Sequence, residues 1–161
     1  IRPSAEPEVR WSEEEHKLSA LATVSGGTIS LDTETGTSRK EGTWELPLDN
    51  LGIFVPELGV VIGIASTRDC LEPSDPWFCQ VCALDVVEAR PPAVRHVWEI
   101  PPERAEDVAP SEAVSLAYLR DDSRFCVSSE DTGTSFTLVD VSRLPGGDLE
   151  LAKHGNVYCH V

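Results

Sequence analysis

A block that occurs twice most constrains what this chain can fold into. Leu31-Asp32 followed by Trp44-Glu45-Leu46-Pro47 returns as Leu84-Asp85 followed by Trp98-Glu99-Ile100-Pro101. The Leu-Asp elements lie 53 residues apart, the Trp-Glu-x-Pro elements 54 apart, and Val139-Asp140 follows 55 residues after Leu84-Asp85. A repeat of this length marks architectures in which each unit buries its apolar face on a neighbour. It describes construction and carries no chemistry. The 161 residues hold three such units, fewer than the roughly four to eight blades that close a propeller. The chain contains no methionine, so Ile1 does not begin a translated product, and a piece of a longer chain is expected.

Local signals within the units are those of β-structure. Residues 1–16 combine prolines and glutamates with little apolar content and read as an acidic linker or loop, leaving 17–161 as the repeat region. From there, short runs rich in Val, Ile, Thr and aromatics alternate with turn residues, and no helical period is sustained. Strands are predicted near Leu18–Val24, Thr28–Asp32, Arg39–Leu46, Gly52–Val55, Val60–Ala65 and Phe78–Val86. Others are predicted near Val94–Glu99, Val114–Leu119, Arg124–Ser129, Phe136–Val141, Leu149–Lys153 and Val157–Val161. Glu34-Thr35-Gly36 and Asp131-Thr132-Gly133 offer a glycine where a hairpin needs positive φ. Pro56-Glu57-Leu58-Gly59, Pro145-Gly146-Gly147-Asp148 and Gly155-Asn156 are further turn signals. Pro47 and Pro101 lack a backbone donor and should end the strands that carry Trp44 and Trp98.

Charge narrows the partners. With 28 Asp and Glu against 13 Lys and Arg, the net charge is −15, which opposes binding to nucleic acid or to an anionic membrane surface. The longest run without a polar side chain, Leu58–Ala65, is eight residues, far short of a helical membrane span. Five cysteines are an odd number, and no Asn-x-Ser/Thr acceptor is present. Reduced thiols in a cytoplasmic or nuclear protein fit this usage best.

Two connections exceed what a hairpin needs, Ser66–Trp77 and Pro101–Ser111. Long loops on a rigid β-scaffold are where contacts with other molecules concentrate, although surface loops also tolerate insertions that serve no purpose.

At these residues a family resemblance enters. The run TISLDTETGTSRKEGTWELPL, then FVPELGVVIGIAS, CALDVV and VRHVWE, resembles uncharacterised kelch-like, F-box-associated-type proteins of plants, grasses in particular. The end, FTLVDVSRLPGGDLELAKHGNVYCHV, is similar to the last blade of those proteins. The resemblance covers roughly residues 27–161 and implies an all-β fold of about three antiparallel kelch-like blades, an open section of a β-propeller. It brings no catalytic residues, and no F-box segment is visible in the chain.

Constellations that suggest chemistry have simpler explanations. Cys79-Gln80-Val81-Cys82 has zinc-knuckle or redox spacing, but it sits in a predicted strand, where positions three apart face opposite ways. Structural cysteines are expected. Asp131-Thr132-Gly133-Thr134-Ser135 resembles the active-site loop of aspartic proteases, with a looser echo at Asp32. That chemistry needs two carboxylates sharing a proton, and hairpin turns account for both sites. His16, His96, His154 and His160 lack ligand-like spacing, and no nucleophile elbow, P-loop, dinucleotide fingerprint or metalloprotease motif is present. No cofactor or metal is expected.

Trp44 and Trp98 hold equivalent repeat positions and are expected to pack between units. Trp77 stands outside the repeat, in the first long loop, where an aromatic side chain can anchor a partner. The reading that follows is a non-enzymatic protein–protein interaction module, with Trp77 as anchor and Glu103, Glu106 and Asp107 steering a basic partner. The alternative is part of a propeller enzyme whose site is completed by blades outside this chain. An open section should also expose sheet edges and a blade face, so self-association is expected.

Overall fold

The computed structural model describes residues 19–66, 79–85, 92–100, 113–119, 123–130 and 133–160. All regular structure among them is antiparallel β: β1 (Ser19–Val24), β2 (Gly27–Asp32), β3 (Ser38–Gly42), β4 (Leu48–Val55), β5 (Val60–Ala65), β6 (Cys79–Asp85), β7 (Ala93–Ile100), β8 (Ala113–Tyr118), β9 (Arg124–Glu130), β10 (Gly133–Arg143) and β11 (Leu149–His160). They form a seven-stranded sheet, in the order β3-β2-β1-β4-β5-β6-β7, and a four-stranded sheet, β11-β10-β9-β8. Neither sheet closes on itself, as an open propeller section requires.

The repeat units are visible in this order. β4–β7 and β8–β11 are two successive four-stranded meanders, and β1–β3 is the meander before them. The second and third pack face to face. The first joins the second edge to edge, through the register Ala20↔Ile53, Leu21↔Gly52 and Ala22↔Leu51. That joint pairs a β4 edge whose N–H and C=O groups would otherwise need water.

Strand β5 shows why the assembly holds. All six of its residues, VVIGIA, are buried, because both faces of the strand are covered. Val60, Ile62 and Ile64 join Val55, Val81 and Ala83 against Phe125, Val127, Val139, Val141 and Leu149 of the second sheet. Val61 and Ala65 point the other way, into a cluster with Leu21, Leu46, Leu48, Cys82 and Leu84. Each fully buried Val, Leu, Ile or Phe contributes roughly 1.5–3 kcal/mol of transfer free energy.

The second cluster is roofed by the segment that follows β3. The strand predicted over Arg39–Leu46 stops at Gly42, earlier than Pro47 alone would dictate. The indole of Trp44 folds back over Gly42, in the space a Cβ there would take. Thr28 Oγ1 then donates to Trp44 O at 2.7 Å, and Leu46 N donates to Thr23 Oγ1 at 2.9 Å, tying the segment across the sheet. Leu48 fills a hollow left by Gly52 and Gly63, which are register partners without side chains.

Two further expectations change, and one holds. The strands predicted at Leu149–Lys153 and Val157–Val161 are one strand, β11, running through Gly155-Asn156. A register shift between Leu138 and Val139 absorbs the extra residue as a bulge, so glycine serves the ladder there and makes no turn. Pro56-Glu57-Leu58-Gly59 is a turn, with Gly59 at φ 64 and its N–H bonded to Val55 O. The turn at Asp131-Thr132 lies outside the described residues.

Candidate functional site

The strand register brings the stems of the two long connections together. Cys79, the first residue of β6, is paired with Ile100, the last of β7. Ile64 is paired with Val81, and Leu48 with Ala65, so β5 ends and β4 begins at this same end of the sheet. Segment 67–78 therefore leaves β5 and returns to β6 beside the point where segment 101–112 leaves β7. Neighbouring strands are about 4.8 Å apart, so these three stems span about 10 Å.

This end of the sheet is firmly held. Ile100, Ser66 and Gln80 are buried. Ser66 N donates to Pro47 O at 3.0 Å, and Gln80 Nε2 donates to Glu99 Oε1 at 3.4 Å. Trp98 is half-buried, packs against the inter-sheet core and stacks on His96 with ring centroids 5.5 Å apart. Its repeat mate Trp44 packs on the opposite cluster, so both act as packing residues, on opposite faces of one sheet. Segments 44–50, 63–66, 79–82 and 97–100 contribute Glu45, Asp49 and Glu99 and no Lys or Arg. The electrostatic character at the stems is acidic.

The four residues singled out by sequence, Trp77, Glu103, Glu106 and Asp107, lie outside the described residues. What the structure adds is the position of the strand ends that carry them. Cys79 and Cys82 stand in one uninterrupted strand, and the Cys82 side chain is buried in the cluster that holds Leu84. Asp32, the looser protease echo, accepts from Glu34 N at 2.9 Å and Thr35 N at 3.1 Å. Its carboxylate shapes the β2–β3 turn. Among the described residues no three His, Cys, Asp or Glu side chains are grouped to hold a metal ion, and no helix is long and apolar enough to cross a membrane.

Two polar constellations had no signal in the sequence. Asp140 Oδ1 accepts from Arg124 Nε at 2.8 Å and Oδ2 from Arg124 Nη2 at 3.3 Å, and His154 Nε2 lies 2.5 Å from the same Oδ2. The hydrogen bonds from Arg124 hold the Asp140 carboxyl below the ordinary value of 3.8, with His154 acting in the same sense and desolvation opposing both. Glu57 Oε1 accepts from Tyr118 OH at 2.7 Å and Ser123 Oγ at 2.8 Å. Arg143, beside them, donates to Leu58 O. These contacts lock the β4–β5 turn onto the second sheet and are structural in character.

A family model described as Protein of unknown function (DUF1668) matches residues 12–159. The chain belongs to this family. No curated protein and no solved structure matches it. The match covers β1 to β10 whole and all of β11 but its last residue.

Proposed function

We propose that this DUF1668 domain is a non-enzymatic protein–protein interaction module of kelch-like propeller type, and that it binds through the paired connections at one end of the seven-stranded sheet. The observation that carries this reading is the Cys79↔Ile100 register, which sets the two stems one strand spacing apart. At about 3.6 Å per residue at most, the chain holds the Cα of Trp77 within about 7 Å of Cys79 and that of Glu103 within about 11 Å of Ile100. One partner surface can therefore meet both. Trp77 supplies the aromatic anchor, while Glu103, Glu106 and Asp107 extend the acidity of Glu45, Asp49 and Glu99 and steer a basic partner. The kelch-like, F-box-associated character suggested by the sequence supports the same reading, since such folds present loops from rigid blades.

The test compares wild-type protein with Trp77→Ala in a pull-down, with a melting curve for each. Binding should fall while the melting temperature stays put. If Trp77→Ala unfolds the domain, Trp77 belongs to the core and the anchor assignment fails.

A further inference from the structure

Among the described residues two apolar faces are left uncovered, and the sheet packing indicates what suits them. On β4, the alternate residues facing the second sheet go from 0% exposed at Val55 to 7% at Ile53 and 44% at Leu51. The register sets Leu51 beside Ala22, Ala22 beside Ile29 and Ala20 beside Leu31. Leu51, Leu31 and Val24 are all exposed, so the inter-sheet core continues past the edge of the second sheet as a bare apolar surface. On the far side of the second sheet, Phe136 and Val157 are register partners, 40% and 61% exposed. Leu138 and Cys126 follow on that face, as partners of one another.

The repeat relates these two faces. Leu31, Leu84 and Val139 are successive members of one series. In the face-to-face contact between the two described sheets, the face bearing Val139 packs on the face of the preceding unit that bears Val81 and Ala83, opposite Leu84. A series-bearing face thus seats on the reverse face of another unit. Leu31 lies on an uncovered series-bearing face, and Phe136 and Val157 lie on an uncovered reverse face, opposite Val139.

We propose that the Leu31–Leu51 face of one copy seats on the Phe136–Val157 face of a second copy, repeating the internal packing between molecules. Such a contact is head-to-tail, so a pair of copies keeps one free face of each kind and association continues or closes into a ring. Because the net charge is −15, like-charge repulsion opposes the contact and added salt should strengthen it.

Sedimentation velocity on the full chain tests this with Leu51→Glu and Val157→Glu. Wild-type protein should grow in mass with concentration, and more so at high salt. Each variant alone should stay monomeric, since each removes one half of the contact from every copy. Mixed one to one, they should form a heterodimer and nothing larger, from the intact face of each. Circular dichroism confirms folding, and Leu31→Gln with Phe136→Gln serve as a second pair on the same faces. A wild-type chain that stays monomeric at all concentrations overturns the proposal and leaves the faces to another occupant. Folded variants that each self-associate like wild type, or that fail to pair when mixed, also overturn it.

Discussion

Leu31 and Leu84 are equivalent in sequence and opposite in burial, which makes them a sharp test of how the units are joined. Leu84 is 0% exposed, in a cluster with Leu21, Val61 and Cys82 that is roofed by Trp44 and Leu46. Leu31 is 38% exposed. Truncating a buried leucine to alanine costs about 2–5 kcal/mol, more where the surroundings cannot relax. Leu84 is enclosed by strands on both sides and a tied segment above, so Leu84→Ala should cost about 3–4 kcal/mol. Leu31→Ala gives up only part of a transfer term of roughly 1.5–3 kcal/mol and should cost about 1 kcal/mol or less. For a domain with ordinary total stability of about 5–15 kcal/mol, the first change is severe and the second mild. Urea titrations followed by circular dichroism, at a concentration low enough to hold the monomer, measure both. Equal costs would refute the reasoning, because they would mean that the Leu31 face is covered within one chain and that the first unit packs like the second.

Further expectations concern single contacts. Glu57→Ala removes the acceptor of Tyr118 OH and of the buried Ser123 hydroxyl, and should cost about 1–3 kcal/mol in denaturant titration, with Glu57→Gln closer to wild type. Gly27 has φ 133, and a Cβ there would overlap the Gly42 carbonyl oxygen, so Gly27→Ala should cost about 2 kcal/mol or more by the same measurement. Because Asp140 is held below its ordinary value of 3.8, the stability it contributes is complete above that pH and is lost as pH falls through the lowered folded value. The gap in melting temperature between wild type and Asp140→Asn should therefore narrow as the buffer is taken below that point.

Much of the fold was legible locally. Val60–Ala65 is bounded by Gly59 on one side and polar sequence on the other, and its apolar, β-branched run read as a strand; that both of its faces are buried came from the folded chain. Trp44 was legible as packing, although the early end of β3 was not, because the indole returns to a glycine two residues back and only the folded chain shows that approach. Gly155-Asn156 misled because glycine serves a bulge as readily as a turn, and the choice depends on the partner strand β10. The joint between β1 and β4 had no local signal at all, since an edge strand's partner is set by what else competes for it. Asp140 drew notice only as part of the repeat. Its partners Arg124 and His154 come from flanking strands and meet it through register. For the candidate site, sequence gave two long loops with an aromatic and a set of acids. Only the pairing of Cys79 with Ile100 puts their stems side by side.

The central claim is that segments 67–78 and 101–112 act as one binding surface. The most direct measurement is the association rate, as a function of salt, of the partner recovered with wild-type protein. It is made with wild type, with Trp77→Ala, and with Glu103→Gln, Glu106→Gln and Asp107→Asn combined. Acid neutralisation should slow association and flatten its salt dependence, because rim charges act on encounter. Trp77→Ala should mainly speed dissociation, because an anchor acts on the bound state. An acid-neutralised protein that binds with wild-type rates at every salt concentration, while Trp77→Ala abolishes binding, would contradict a shared surface.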